Sequence, residues 1–464
     1  MSTLILPQYG INVRDEDAYA FSLVSAARGD GASDDSAAIQ HALDLAAGGS
    51  LNIRPASAWH EHLVVIPAGR YKIGTTLRIS SNTRLLLHPQ AHIILADGAG
   101  VNQDVFLITN KHHQTGDTNI QIEGGIWDGN NPGNPRGPDA PGSYTGVAIN
   151  FRNVNGLHLS SLRVCEAESY NIRISEVRNF VIQDVRFEAR SIRRNQDGIH
   201  LCGGCSDGLI QRIRTGGMKA TNDDLIAFVA DDAMQRAQNL GGTCGHIRRV
   251  RVNDVTSDDC HSFVRLGSVW STISDVTISN VRGGFRCNAV NADALRYCAV
   301  PVFNRHDPQF ASGVGLLENV SLSDFDVYCT EGKDAVLLLE TRMKNFQIRN
   351  FRRDMIRDLA TSTSPTVRMR GIISDNIVME GLTEADTNDI RESWSTSSVS
   401  APSIVSLASP YGDSVTAERF RLDVALREKD QLITHAHHLS RLSVSDCEMS
   451  DVPGEDLRDG KYRR

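Results

Sequence analysis

Apolar and polar residues alternate along most of this chain, in short runs that keep returning. They read NIQIEGGIWDG (119–129), NVNGLHLSSLRV (153–164), VRNFVIQDVRF (177–187), SDGLIQRIRT (206–215) and IRRVRVNDVTS (247–257). Further copies are STISDVTISNV (271–281), LENVSLSDFDV (317–327), MKNFQIRNFRR (343–353), SDNIVMEGL (374–382) and SRLSVSDCEM (440–449). A period of two predicts a half-buried strand in each run. Asn, Asp or Gly stands at one or both ends of most runs, where these residues favour turns. The closest starts lie 24 to 30 residues apart, and that period is the mark of a stacked solenoid or a propeller. A propeller blade needs four strands in about 40 residues, whereas each period here holds two or three short strands. Helical patterning nearly vanishes after the first 50 residues. The predicted fold is all-β, a right-handed parallel β-helix of about ten coils whose stacked inner faces make one aliphatic core.

The N-terminal region adds a cap. RGDGASDD (28–35) predicts a loop, and Ser36–Ala47 predicts an amphipathic helix with Ile39, Leu43 and Ala46 on one face. A helix there closes the open end of a solenoid, and Asp34–Asp35 belongs to the cap loop as a structural pair. LVVIPAGRY (63–71) and TTLRISSNTRLLLHPQAHIILA (75–96) continue as strands. This opening segment, GDG-x-x-DD, then a helix, then a strand ending in Pro-x-Gly-x-Tyr, resembles that of pectin-lyase-like β-helix proteins. The chain is expected to be a single domain over 1–464, with cap loop and helix at 28–50, coils at 51–450 and a tail at 451–464.

Composition narrows the function classes. Hydrophobic residues make up 40% of the chain, which excludes a disordered protein. Aromatic residues make up only 6%, in keeping with a narrow interior of Val, Ile and Leu. No apolar stretch approaches the roughly 18 residues of a membrane span. The net charge is −8 and basic residues form no long runs, so neither nucleic acid nor a membrane is an expected partner. Residues 1–12 lack a basic start followed by a long apolar run, so no signal peptide is visible. A cytoplasmic location is expected, with export by another route or a trimmed chain as the alternatives. Nine cysteines over this length read as reduced thiols rather than a disulfide framework. Cys202-Gly-Gly-Cys205 has no second pair at finger spacing and reads as a turn. No metal and no cofactor is expected, and oligomeric state is not legible.

Equivalent positions of successive coils stack about 4.8 Å apart, so polar residues recurring after the same bend form a ladder on the outer wall. Four segments qualify: NQDGIH (195–200), NDDLIA (222–227), CHSFVRLGS (260–268) and GGFRCN (283–288). The ladder would present Asp197, Asp223, Asp224, His261 and Arg286 on one face. Such a set suits glycosidic bond hydrolysis. A carboxyl whose pKa is raised by like-charged neighbours can protonate the leaving oxygen, while another carboxylate activates water. An inverting enzyme separates the two by roughly 6.5–9.5 Å and a retaining one by about 5–5.5 Å. In a regular strand Asp223 and Asp224 would face opposite ways, so the pair must sit at a bend or bulge. The same alternation turns His200 away from Asp197 unless a bend intervenes, so His200 reads either as core or as a support behind the site. His246 lies before its strand and out of register, which favours His261. Arg193–Arg194 reads either as a solvated turn or as a carboxylate-binding rim, and Trp127 and Trp270 read as packing rather than sugar platforms.

The order NxDG, DD, a His before a Ser- and Gly-bearing strand, then Arg after Gly resembles the polygalacturonase family of glycoside hydrolases, whose pattern runs N-T-D-G, D-D, G-H-G, R-I-K. The fold resemblance covers roughly 28–450 and the catalytic match 195–288. It implies an inverting hydrolase acting on a carbohydrate, with Asp224 as general acid and Asp197 and Asp223 holding and deprotonating water. His261 would support the acid's protonation state and Arg286 would bind substrate. Two positions depart from the pattern: Ser262 replaces the second Gly of G-H-G, and Asn288 stands where the family has its lysine. Arg265, Lys219 or Arg296 are the candidates to supply the missing positive charge. The insertions 229–246, 287–316 and 383–438 could wall the groove and favour short chains or attack at chain ends. Two other classes share the pattern. One is a lyase or epimerase that abstracts a proton beside a uronate carboxyl, with calcium held by the aspartates or Arg286 or His261 as base. The other is a glycan-binding solenoid without turnover.

Overall fold

In the computed structural model of the chain, the described residues are 10–48 apart from Phe21, 62–138, 142–292, 314–331, 336–354, 357–358, 366–369 and 373–384. Beyond them only short strands at 403–406, 416–417, 420–424, 431–434 and 442–445 are described. Each sequence run coincides with a strand, and the strand pairings within the rows below are parallel. The fold is all-β, a right-handed parallel β-helix. Its residues group into two compact units, Met1–Asp223 with Ala233–Thr243, and Asp224–Asp232 with Cys244–Arg464.

Three rows of strands build the first unit. One row stacks Leu63–Ile66, Arg84–Leu87, Asp117–Glu123, Val154–Ser160, Arg178–Glu188 and Ser206–Gly216. The second stacks Gly69–Ile73, Ala91–Leu95, Ile126–Asp128, Arg163–Cys165 and the end of Arg178–Glu188. The third stacks Leu77–Ile79, Ile108–Asn110, Ile149–Arg152, Ile172–Ser175 and Ile199–Cys202. Inward positions are almost all Val, Ile and Leu and are fully buried. Trp127 joins them and donates its Nε1–H to Gly124 O at 3.1 Å, so its packing role stands. Trp270, by contrast, is exposed on the surface of the second unit.

The cap helix forms as the sequence predicts, α1 at Ser36–Ala46 burying Ile39, Leu43 and Ala46, but the segment before it is not all loop: Asp30–Asp34 is a strand that pairs in parallel with Gly69–Ile73. Asp35 accepts hydrogen bonds from Arg28 N (2.7 Å) and Gly29 N (3.1 Å), and Asp34 Oδ1 accepts from Ser36 N (2.9 Å). Those bonds satisfy amides of the loop and of the first helical turn, which is the structural role expected of the pair.

In the second unit the strands are longer. Ile247–Gly267, Thr272–Ala292, Leu316–Cys329, Met343–Arg353 and Ile373–Glu384 stack in register. The sequence predicts strands ending near 257 and 281; they instead run through the bend, with register shifts between Ser257 and Cys260 and between Cys260 and Ser262 absorbing the turn. Asparagine and aspartate take the left-handed conformation that the bends need. Asp275, Asn319, Asn345 and Asn376 have φ of 55°, 55°, 53° and 58°, and their side chains hydrogen-bond in file at 3.0, 3.0 and 2.9 Å. This ladder is why those residue types recur at the ends of the runs.

The tail 451–464, Arg296 and most of the insertions 287–316 and 383–438 lie outside the described residues. Among the described residues every cysteine is a free thiol, including Cys202 and Cys205, which flank a Gly-Gly turn. Among them too, no helix is long and apolar enough to cross a membrane.

Candidate active site

In the first unit, Asp197 lies in an irregular segment just before the strand Ile199–Cys202. The alternation argument therefore does not reach it. Asp197 Oδ2 meets His200 Nδ1 at 2.7 Å, and both side chains are buried. Of the two readings of His200, this bond favours the support behind the site over the core. It sits on the outer side of its strand, in register with Arg173, which is itself in register with Asn150. The imidazole stacks on Tyr170 with centroids 3.9 Å apart and planes 11° from parallel. The segment 233–243 of the same unit covers this row. Arg173 is fully buried and donates from Nη1 to Gln238 O and Leu240 O, both at 2.9 Å, while Tyr170 Oη donates to Asn239 Oδ1 at 2.7 Å. Burial pushes the Cys202 thiol pKa up, but its bond to His200 and the Arg173 guanidinium outweigh that and hold it below the ordinary value.

The same unit ties the NQDG turn to the residues that precede Asp224. Asn195 takes a left-handed φ of 59° and donates from Nδ2 to Asp223 Oδ2 at 3.3 Å. Asn222 Nδ2 donates to Arg193 O at 2.9 Å, and Asp223 N donates to Gln196 O at 3.4 Å. Asp223 is half-buried, in a bend rather than in the strand. Arg193 is neither a free turn nor a free rim: its Nε donates to Glu168 Oε2 at 2.8 Å. Arg136, which the sequence reading missed, reaches Asn195 Oδ1 at 3.3 Å and Gln238 Oε1 at 2.9 Å. Lys219 is half-exposed in a turn, with φ of 57°.

In the second unit, Asp224 opens the strand Asp224–Val229 and is buried. Its register partner is Ser262, whose partner in turn is Asn288. Asn288, standing where the resemblance calls for lysine, therefore lies in the same file as Asp224. A carboxylate oxygen of Asp224 and a ring nitrogen of His261 lie within 4.8 Å, and Arg265 Nη1 reaches Asp224 Oδ2 at 3.5 Å. Arg265 and Arg286 are expected to face substrate, but both guanidinium groups are buried and each meets a carboxylate of its own unit. Arg286 pairs with Asp259, Nε to Oδ1 at 3.3 Å. A buried cation needs a counter-charge, and that requirement seats both. His246 Nδ1 accepts a hydrogen bond from Thr272 N at 2.9 Å at the start of a strand, a structural task that leaves His261 as the candidate.

Residues 24–286 match the family described as rhamnogalacturonase A/epimerase, pectate lyase-like. The chain belongs to that family. The match spans Asp197, Lys219, Asp223, Asp224, His261, Arg265 and Arg286. It also resembles polygalacturonase QRT2 of Arabidopsis thaliana, at 24% identity over 283 residues, covering 58% of this chain and 59% of the relative. Among solved structures, a family 28 exopolygalacturonase of Yersinia enterocolitica superposes with a TM-score of 0.52 at 15% identity, covering 82% of this chain and 76% of that one. The A-module of the mannuronan C-5 epimerase AlgE6 of Azotobacter vinelandii gives 0.51 at 14% identity, covering 98% and 99%. These structures establish a shared fold, and that fold serves a hydrolase and an epimerase alike.

Proposed function

We propose that the protein is a glycoside hydrolase acting on a poly- or oligosaccharide, uronate-containing by analogy with the polygalacturonases it resembles, and that it works by inversion. The observation that carries this reading is the setting of Asp224. A buried carboxyl at the start of a strand, with an imidazole within 4.8 Å and a guanidinium at 3.5 Å, lies inside the segment that matches the family. In the proposed mechanism Asp224 donates a proton to the leaving oxygen and His261 supports its protonation state. Asp197 and Asp223 hold and deprotonate the attacking water. The bonds from His200 and Asn195 support these roles by fixing the two carboxylates in orientation. Arg286, Arg265 and Lys219 are the proposed source of positive charge for a substrate carboxylate. Lys219 is the most accessible of the three, which favours it for direct contact.

The test is a screen of uronate-containing and neutral polysaccharides in heavy water, with reducing ends, ultraviolet absorbance and deuterium at the sugar C5 read from the same wells. A hydrolase releases reducing ends with neither a new C=C chromophore nor C5 label. Chromophore formation points to a lyase, C5 label without cleavage to an epimerase, and binding without any product to a glycan-binding solenoid. Any of those three results would overturn the proposal.

A further inference from the structure

A second cluster of chemistry-bearing side chains stands on the outer wall of the first unit, away from Asp197 and Asp223 in sequence and on a different row of strands. His92, Asp128 and Cys165 come from three successive coils. Asp128 is in register with Ile94 on one side and Cys165 on the other, and His92 lies two residues before Ile94 on the same face. His92 Nε2 is 3.0 Å from Asp128 Oδ2, and a ring nitrogen of His92, a carboxylate oxygen of Asp128 and Cys165 Sγ lie within 4.8 Å of one another. We propose that these three residues bind a zinc-type divalent cation.

The donor set argues for that chemistry. Thiolate and imidazole favour Zn²⁺ over Ca²⁺ or Mg²⁺, which take oxygen ligands. Tetrahedral zinc with ligands at 2.0–2.3 Å puts its donor atoms about 3.4 Å apart, and the donor atoms here already lie within 4.8 Å of one another. Asp128 is already oriented for it: Oδ1 accepts a hydrogen bond from Asn130 N at 2.8 Å, which leaves Oδ2 towards His92. Each of the three residues is partly exposed, so an ion has a path in and a fourth position open to water. The surrounding charge suits a cation as well. Glu166 and Glu188 act on Cys165 alongside Asp128, and Arg163, which opposes them, is itself bound to Glu188, as is Arg186. Lys72 stands in the same file but is separated from Asp128 by Ile94.

Cobalt(II) is the probe, because a Co²⁺–thiolate bond gives a charge-transfer absorption that a carboxylate or imidazole site lacks. The full-length protein, stripped with chelator and titrated with Co²⁺, should take up one equivalent with that band, and Zn²⁺ should displace it. Cys165→Ser should abolish the band, and both Cys165→Ser and His92→Gln should weaken uptake by more than about 100-fold, beyond the 10–100-fold expected from losing an outer-shell contact. Cys244→Ser, which changes an exposed thiol elsewhere, should leave it intact. Circular dichroism checks that each variant is folded, and His92→Gln gives the reading independently of the cysteine. Absence of the band in the wild type, its persistence in Cys165→Ser or unchanged uptake in His92→Gln, or its loss in Cys244→Ser, would overturn the proposal. None of these outcomes bears on hydrolysis, so the site stands or falls apart from the proposed activity.

Discussion

Asp197 Oδ2 and His200 Nδ1 are 2.7 Å apart on buried side chains three residues apart. The geometry gives His200 a purpose beyond packing. One face of its ring lies on Tyr170, and its Nδ1 holds the carboxylate proposed to bind water. His200→Phe preserves the stacking but removes the nitrogen. Misplacing a reacting group by about 1 Å can cost 10²-fold in rate. The variant is therefore expected to lose up to about 100-fold in kcat with KM little changed. A rise in KM at constant kcat would assign His200 to substrate binding instead.

The general-acid role of Asp224 predicts a different signature. Such catalysis contributes typically 10²–10⁴ in rate. Asp224→Asn keeps the shape and the approach of Arg265 but cannot give up a proton. Its turnover should fall by about that factor while substrate still binds, and the loss should shrink on substrates with good leaving groups. Full activity of the variant on a natural glycan would remove Asp224 from the mechanism.

Those residues also mark how far the sequence can be read. Strand positions followed from alternation, and the cap helix from Ile39, Leu43 and Ala46, because both patterns are local. The bends followed from Asn and Asp, because few other residues tolerate a left-handed φ. What failed is whatever depends on departures from regularity. Alternation could not choose between the two readings of His200, because Asp197 precedes the strand rather than belonging to it. It also ended the strands Ile247–Gly267 and Thr272–Ala292 too early, since bulges leave no compositional trace. The ion pairs of Arg265 and Arg286 leave no trace in the sequence either, because their carboxylate partners, Asp224 and Asp259, lie 41 and 27 residues away. His92, Asp128 and Cys165 form no motif at all; only the register of three coils brings them together.

Gly283 tests the coil geometry of the second unit. Its φ is 114°, and a Cβ built there would stand 2.0 Å from Ser257 O, a backbone atom of the register partner. Gly283→Ala must therefore both strain the backbone and displace a neighbouring strand. Strain in such conformations costs about 1–3 kcal/mol, and the overlap adds to it. The urea midpoint of the variant should fall accordingly. An unchanged midpoint would show that the bend relaxes without cost.

Asp117 predicts how stability responds to acid. Its carboxylate is buried at the start of the strand Asp117–Glu123. Burial pushes its pKa up, but donors gathered around it prevail. His112 reaches it through Nδ1 (3.0 Å) and its backbone amide (2.8 Å), Ser81 through Oγ (2.8 Å) and its amide (3.0 Å), and Asn110 through Nδ2 (3.1 Å). The result is a pKa held below the ordinary aspartate value. A carboxyl whose folded pKa is depressed binds protons more readily in the unfolded chain, so its contribution is complete above the unfolded value, about 3.9, and is lost as pH falls through the folded one. Asp117→Asn turns two of the inward-facing donors against an amide NH₂ and should lower the denaturant midpoint at pH 7. The gap between variant and wild type should hold from neutral pH down to about 4 and then narrow, because protonating Asp117 removes from the wild type what the mutation removes from the variant. Midpoints measured at intervals from pH 7 to 3 check this, and a gap that stays constant across the whole range would mean that the bonds, not the charge, carry the contribution of Asp117.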